Sequence, residues 1–201
     1  MKSLLLTSLL AVALGQSASA VTLSFDDIPG GSQQNTYGDM PTGYMGFNFS
    51  STLDWIDTVG ATSPWPYGSK SGDFTLVNNN LGVGTITDTN GADFTFDGVW
   101  ARTFQPNSST VVFTGVLSGY NNGSLVWSRD TAIDVNFQFF AAQAGMIDEL
   151  RLGFGGLFIV DDLMLNGGPV TTPIPEPSTY ALMLLGLGVM GVAARGRRQR
   201  H

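Results

Sequence analysis

Short runs in which apolar and polar residues alternate fill the middle of the chain. Such alternation is typical of β-strands that bury one face. The pattern predicts strands at 21–25, 46–50, 92–96, 109–116, 123–127, 134–141, 146–152 and 157–165. Between them lie glycine, asparagine and serine residues, which favour turns. The sequence therefore predicts an all-β domain, an antiparallel β-sandwich of the jelly-roll type, over residues 21–166.

The first 20 residues follow a different pattern. Lys2 precedes an uncharged, mainly apolar run at 4–14, and small residues follow at Ala18 and Ala20. This order is typical of a secretory signal peptide, which we assign to residues 1–20. The run is too short for the hydrocarbon core of a bilayer, which requires about 20 residues. We therefore expect signal peptidase to cleave after Ala20 and the rest of the chain to be exported.

The last residues contain a second hydrophobic run, this time followed by positive charge. Residues 167–174 form a linker rich in breakers of regular structure, and 180–194 are uncharged and mainly apolar. A single hydrophobic helix of this length would reach roughly 22 Å. The positive charges after it are Arg195, Arg197, Arg198 and Arg200. By the positive-inside rule these arginines stay cytoplasmic, so the body would lie outside the inner membrane.

Between the linker and the hydrophobic run stands the tripeptide Pro175, Glu176 and Pro177. Together with the run and the arginine cluster, it resembles the PEP-CTERM sorting signal of exported bacterial proteins, here over 175–201. The resemblance implies a Gram-negative producer of exopolysaccharide. It also implies an exosortase, a membrane-embedded cysteine-type transpeptidase, that cleaves near the tripeptide. The prolines favour an extended segment, which suits a processing enzyme. An ordinary tail anchor is the alternative.

Composition limits the chemistry that the body can perform. The chain has no cysteine and its one histidine is His201, which excludes a cysteine nucleophile, a Cys/His zinc site and a serine–histidine–aspartate triad. Residues 21–166 hold 15 acidic and four basic side chains, a net charge of −11, which argues against nucleic acid. Their one glutamate is Glu149, and no pair of carboxylates stands out. We expect no catalysis, with polysaccharide hydrolase or lyase as the alternative.

The body also resembles the jelly rolls of carbohydrate-binding modules. The residues that carry the resemblance lie at 23–27, at 43–47 and at 159–163. These three segments are spread over the whole domain, and the pattern that they form is loose. The resemblance implies the fold more firmly than any activity.

Two acidic pairs lie near the ends of the body. Asp26 and Asp27 stand at the end of the first predicted strand, and Asp161 and Asp162 lie on the last. These strands are often neighbours in such sandwiches, so the carboxylates are candidate ligands of a structural Ca²⁺, which the resembling modules often carry there. Solvated acids at strand ends are the alternative.

Aromatic residues are the candidates for binding a sugar, because a flat ring stacks on the apolar face of a pyranose. Trp65 and Tyr67 lie in a proline-rich loop, and Trp55 and Tyr120 lie near turns. Trp100 and Trp127 are further candidates. Asparagines at 78–80 and 121–122 offer amide partners. Burial in the core is the alternative for each ring.

The sequence thus predicts an exported protein that crosses the inner membrane transiently and is sorted to the cell surface or extracellular matrix. Three functions stay open. The first is a non-catalytic module that binds extracellular polysaccharide, the second is a structural matrix protein without a ligand, and the third is the hydrolase or lyase. Exposed coplanar rings on one face or loop cluster would favour the first, buried rings without a pocket the second, and a cleft with two carboxylates at catalytic distance the third.

Overall fold

The computed structural model of the protein describes residues 20–28, 37–58, 68–104 and 111–166. All of them belong to the first of two compact units, Met1–Gly168 and Pro169–His201. The strands are β1 (Ala20–Leu23), β2 (Tyr37–Asp39), β3 (Phe47–Phe49), β4 (Asp54–Asp57), β5 (Phe74–Asn78), β6 (Gly84–Asp88), β7 (Phe94–Thr103), β8 (Phe113–Asn121), β9 (Ser124–Ile133), β10 (Gln138–Ile147), β11 (Glu149–Gly153) and β12 (Phe158–Asn166). In these ranges no helix has the length and apolar character to cross a membrane.

The strands form two antiparallel sheets. The seven-stranded sheet has the order β10-β7-β12-β5-β4-β2, with β1 beside the end of β12. The five-stranded sheet has the order β3-β6-β11-β8-β9. From β2 onward the chain repeatedly crosses from one sheet to the other, so neighbours within a sheet are mostly distant in sequence. The prediction of an all-β antiparallel sandwich is confirmed.

Aromatic side chains fill the space between the sheets. Phe47 and Phe94 meet edge to face with ring centroids 5.3 Å apart, and Phe154 and Phe158 meet at 4.9 Å. All four rings are completely buried. Burying one such side chain stabilises the fold by roughly 1.5–3 kcal/mol, so this core holds the sheets together.

The seven-stranded sheet is also apolar on the side facing away from this core. Leu76 and Val160 belong to the main core, so their neighbours Val77 and Ile159 lie on the opposite side, because successive side chains of a strand alternate. We call this side the outer face. Its buried apolar cluster consists of Ile56, Val77, Phe104 and Ile159. The central strands are therefore buried on both sides.

The strand predictions located every long strand but covered only the first part of β7, β8 and β9. β2, β4, β5 and β6 were missed, and the run 146–152 proved to be the end of β10 followed by β11. The turn expected over 117–122 is shorter, because β8 continues to Asn121 and only Asn122 and Gly123 turn, with φ of 49° and 73°. Asn-Gly is the pair that a two-residue hairpin turn favours. The signal peptide, the linker and the hydrophobic run at 180–194 lie outside the described residues.

Gly155 offers a test of the connection between β11 and β12. Its φ is +80°, and a Cβ there would lie 1.8 Å from the carbonyl oxygen of Thr114. We expect Gly155→Ala to lower the free energy of unfolding by several kcal/mol, since backbone strain and backbone overlap add. In Gly91→Ala, where φ is +71° and nothing lies within 4 Å, strain alone should cost about 1–2 kcal/mol. Urea denaturation compares them, and equal losses would contradict this account.

Candidate functional site

A cavity of about 300 Å³ opens at the end of the outer face where β2, β4 and β5 lie side by side. Its floor is apolar and its rim is polar. The lining residues are Tyr37, Asp54, Ile56, Val77, Asn79, Asn80 and Phe104. An apolar floor with a few convergent polar groups is the usual make-up of a site for a small organic ligand.

The strand register places the aromatic wall and the floor of this cavity. Tyr37 lies opposite Ile56 on the neighbouring strand, and Asp54 lies opposite Val77. Directly opposed residues share a face of the sheet, so all four stand on the outer face. Tyr37 is 62% exposed, which leaves its ring open to a ligand.

A turn between β5 and β6 supplies the amides of the rim. Asn78 is completely buried, and its side chain accepts a hydrogen bond from the Asn80 amide at 3.1 Å and donates to the Gly82 carbonyl. This buried anchor fixes the turn, so that the exposed Asn79 and Asn80 line the cavity. Amide side chains donate and accept hydrogen bonds, as sugar hydroxyls require of a partner.

Two carboxylates meet at this rim. Asp39 on β2 lies directly opposite Asp54 on β4. Burial raises the pKa of Asp54, the negative charge of Asp39 raises it further, and a hydrogen bond with Asn80 opposes the shift. The pair therefore concentrates negative charge beside an apolar floor.

A second aromatic surface lies on the same face, at β7 and β10. The rings of Trp100 and Phe139 are 5.1 Å apart, and Phe139 is 42% exposed. The Lys70 ammonium lies 4.5 Å from the centroid of Trp100. Trp100 is thus partly open on the outer face, not in the core between the sheets.

Of the four predicted glycan-binding residues the structure describes Trp55 and Tyr120, which lie on different sheets. Trp65 and Tyr67 lie outside the described residues. Trp55 is 6% exposed and packs in the main core against Phe74, so its ring has no free side for a sugar. Tyr120 lies on the five-stranded sheet, and the Arg151 guanidinium covers one side of its ring at 3.9 Å.

Trp127 is 9% exposed and packs in the main core, so this ring is buried as the alternative to sugar binding expected. Sequence reasoning missed Tyr37, Asp39 and Asp54. Residues 54–57 read Asp-Trp-Ile-Asp, which does not alternate, so no pattern along the chain marked Asp54 as facing away from the core. Their strands have only three and four residues, below the length at which alternation stands out.

Three of the four predicted calcium ligands hold a loop instead. Asp161 is completely buried, and its carboxylate accepts hydrogen bonds from the amides of Lys70 and Ser71 at 2.7 and 3.0 Å. Asp162 accepts from the Ser71 hydroxyl at 2.8 Å. Asp26 accepts from the amides of Asp73 and Phe74. We call this arrangement around residues 69–74 the carboxylate clasp.

All four predicted calcium ligands accept hydrogen bonds from the protein itself. Asp27, the one outside the carboxylate clasp, accepts a hydrogen bond of 2.5 Å from the Tyr44 hydroxyl. Across the described part of the chain, no three acidic or histidine side chains are grouped so as to hold a metal ion. The acceptor oxygens serve N–H and O–H donors, which does not fit a calcium shell of six to eight oxygens. Calcium binding stays a prediction that this geometry does not favour.

Glu149 stands far from the cavity in the fold. It lies on β11 of the five-stranded sheet and forms an ion pair with Arg151. A glutamate held in this way on the other sheet cannot act on a ligand in the cavity. The carboxylates at the cavity are Asp54 in its lining and Asp39 directly opposite it.

Asp161 makes the stability of the fold depend on pH. Burial raises its pKa to about 7, although the amide donors of the clasp oppose the shift. An unfolded Asp has a pKa near ~3.9, so the folded state holds the proton more tightly. The contribution of Asp161 is therefore fully present below about pH 4 and is lost as the pH rises to about 7, by up to about 4 kcal/mol.

Denaturation at several pH values checks this. We expect the free energy of unfolding of Asp161→Asn to lack the fall between about pH 4 and 7 that the unmodified chain shows. Asp130→Asn, which removes an exposed acid on β9, should keep the fall. If the free energy of unfolding fell equally with pH in the unmodified chain and in Asp161→Asn, Asp161 would not be the group responsible for the fall.

Comparisons with solved structures return carbohydrate-binding domains. The CBM22-1 xylan-binding domain of Paenibacillus barcinonensis Xyn10C aligns with 7% identity over 76% of this chain and 97% of its own, with a TM-score of 0.41. TmCBM61, solved in complex with β-1,4-galactotriose, aligns with 10% identity over 65% and 97%, with a TM-score of 0.33. The C-terminal family 22 module of Clostridium thermocellum Xyn10B aligns with 11% identity over 63% and 88%, also at 0.33.

Sequence comparison identifies the C-terminal segment. No curated protein matches the chain. A family model for the PEP-CTERM protein-sorting motif matches residues 173–198, which include Pro175, Glu176 and Pro177. The predicted sorting motif is confirmed. The chain therefore carries a PEP-CTERM protein-sorting motif, which indicates a protein that is exported across the membrane and sorted.

Proposed function

We propose that this protein is a non-catalytic module that binds extracellular polysaccharide in the cavity beside Tyr37. The observation that carries the proposal is the lining of that cavity, an exposed aromatic wall, an apolar floor and two asparagine side chains. A sugar ring has an apolar face and a rim of hydroxyls. The cavity offers a partner for both.

The aromatic surface at the other end of the outer face extends the proposal. Trp100 on β7 and the cavity at β4 are separated by three strand spacings, or about 14 Å. Thr75 and Asp161, which face outward between them, are completely buried, so a glycan that contacts both surfaces would pass over the segments that cover β5 and β12. The binding energy of stacked rings adds up along a polymer, which favours a polysaccharide over a free sugar.

The sorting motif gives the proposed place of action. Signal peptidase would remove residues 1–20, the hydrophobic run 180–194 would hold the chain in the inner membrane, and an exosortase would then cleave near Pro175, Glu176 and Pro177. Release places the body at the cell surface or in the extracellular matrix, where polysaccharide is available. The export signal and the cavity therefore support one role, association with extracellular polysaccharide.

A structural role without a ligand is the competing function. It would use the sandwich as a stable unit and would leave the cavity without a purpose. The two functions differ in one measurable property, the dependence of polysaccharide retention on Tyr37.

Affinity electrophoresis of the full-length chain in gels containing xylan, β-glucan or galactan tests the binding role. We expect at least one polymer to retard the unmodified chain, and Tyr37→Ala to lose most of the retardation because the stacking wall is gone. Losing one stacked ring should cost about 1 kcal/mol or more, a factor of five or more in affinity.

Tyr120→Ala is the matched control, since it removes a tyrosine from the other sheet. It should migrate like the unmodified chain. Retardation that depends on Tyr120 and not on Tyr37 would move the site to the five-stranded sheet. No retardation by any polymer would favour the structural role.

Mass spectrometry of the mature protein from producing cells tests the sorting route. We expect a chain that begins at Val21 and ends near Pro175, Glu176 and Pro177. Replacing these three residues by alanine should leave the C-terminal tail attached and the protein in the membrane fraction. A mature protein that keeps Arg200 would show anchoring without processing.

A further inference from the structure

The opposed carboxylates at the cavity rim, Asp39 and Asp54, have no counter-charge among the residues that the structure describes. Asp39 and Asp54 face each other across antiparallel strands, with Cβ atoms about 4.5–5.5 Å apart. The charge that acts on Asp54 is the like charge of Asp39, and the ion pair seen among the described residues joins Arg151 to Glu149 on the other sheet. Like charges directly opposite each other destabilise a sheet, so the pair is unfavourable for folding alone.

The positions of the four basic residues of the body show why none relieves this pair. Arg129 and Arg151 belong to the five-stranded sheet. Lys70 lies over Trp100, and Arg102 lies on β7, three strand spacings or about 14 Å from Asp54 along the register. The negative charge at the rim is therefore left for a ligand to neutralise.

The surroundings limit which cation fits. The cavity has an apolar floor and an aromatic wall, and neither can coordinate a metal ion. An organic ammonium group attached to a ring uses every part of the lining. The ring contacts Tyr37 and the floor, the hydroxyls meet Asn79 and Asn80, and the ammonium donates to the two carboxylates.

We propose that the preferred ligand of this cavity is a polysaccharide with free amino groups, such as a de-N-acetylated hexosamine polymer, whose ammonium group lies between Asp39 and Asp54. The inference rests on the proposed function and specifies its substrate class. The net charge of −11 of residues 21–166 favours the approach of such a polymer and repels polymers of uronic acids.

Isothermal titration of the full-length chain tests the proposal with three tetrasaccharides: a β-1,4-linked glucosamine tetramer, its fully N-acetylated form and cellotetraose. The titrations contain a chelator, so that no divalent cation bridges the carboxylates. The glucosamine tetramer should bind about tenfold more tightly than the other two, as expected for a charge-assisted hydrogen bond at a partly buried carboxylate.

The variants Asp54→Asn and Asp39→Asn should each remove most of the preference for the glucosamine tetramer over its N-acetylated form and over cellotetraose. Asp93→Asn is the matched control, because it removes one exposed acid outside the cavity. It should keep the preference. A preference that Asp93→Asn weakens as much as Asp54→Asn does would show attraction by net charge alone and overturn the proposal.

The outcomes separate this inference from the function on which it rests. Equal, Tyr37-dependent affinity for all three tetrasaccharides would overturn the amino-sugar preference and keep the binding function. Absence of Tyr37-dependent binding for every tetrasaccharide and every polymer would overturn both.

Discussion

The buried carboxylate of Asp161 fixes the part of the fold on which the outer face depends. Asp161 stands on β12, at the centre of the seven-stranded sheet, and accepts hydrogen bonds from the backbone of the loop that leads into β5. The same loop carries Lys70, whose ammonium lies over Trp100. The clasp costs conformational energy, since Asp162 has a φ of 45° and Phe25, just before Asp26, has a φ of 66°. Both residues therefore hold sparsely populated left-handed backbone beside the carboxylates that form the clasp.

A second constraint is the burial of the central strands on both sides. Ile56, Val77 and Ile159 give the outer face an apolar centre, which must be covered or used. The cavity lies where this apolar centre meets β2, a strand of three residues at the edge of the sheet. β2 is short and lies at the edge of the sheet, and its Tyr37 is therefore exposed. The same geometry that protects a sheet edge from pairing thus opens a pocket beside it.

Much of the fold could be predicted from the sequence, and less of the site. The predicted strands covered most of β12 but only residues 94–96 of β7, where the alternation is regular. β4 reads Asp-Trp-Ile-Asp, and four residues do not tell which side is the core. Trp55 therefore looked like a surface ring, whereas the register turns it inward and turns Asp54 and Ile56 outward. Which strands become neighbours is set by long-range packing, so the meeting of Asp39 with Asp54 has no signature along the chain.

The charge of the chain is divided in a way that export requires. The whole chain has a net charge of −7, yet residues 21–166 carry −11 and four arginines stand at the C-terminal end. The positive and negative charges serve different places. Arginines beside a hydrophobic run bind the anionic cytoplasmic surface of the membrane, whereas an acidic body does not adhere to anionic lipid. An acidic body also discriminates among polymers, since long-range repulsion slows the approach of every polyanion. The charge that keeps the body off the membrane during processing therefore restricts its ligands afterwards to neutral and cationic glycans.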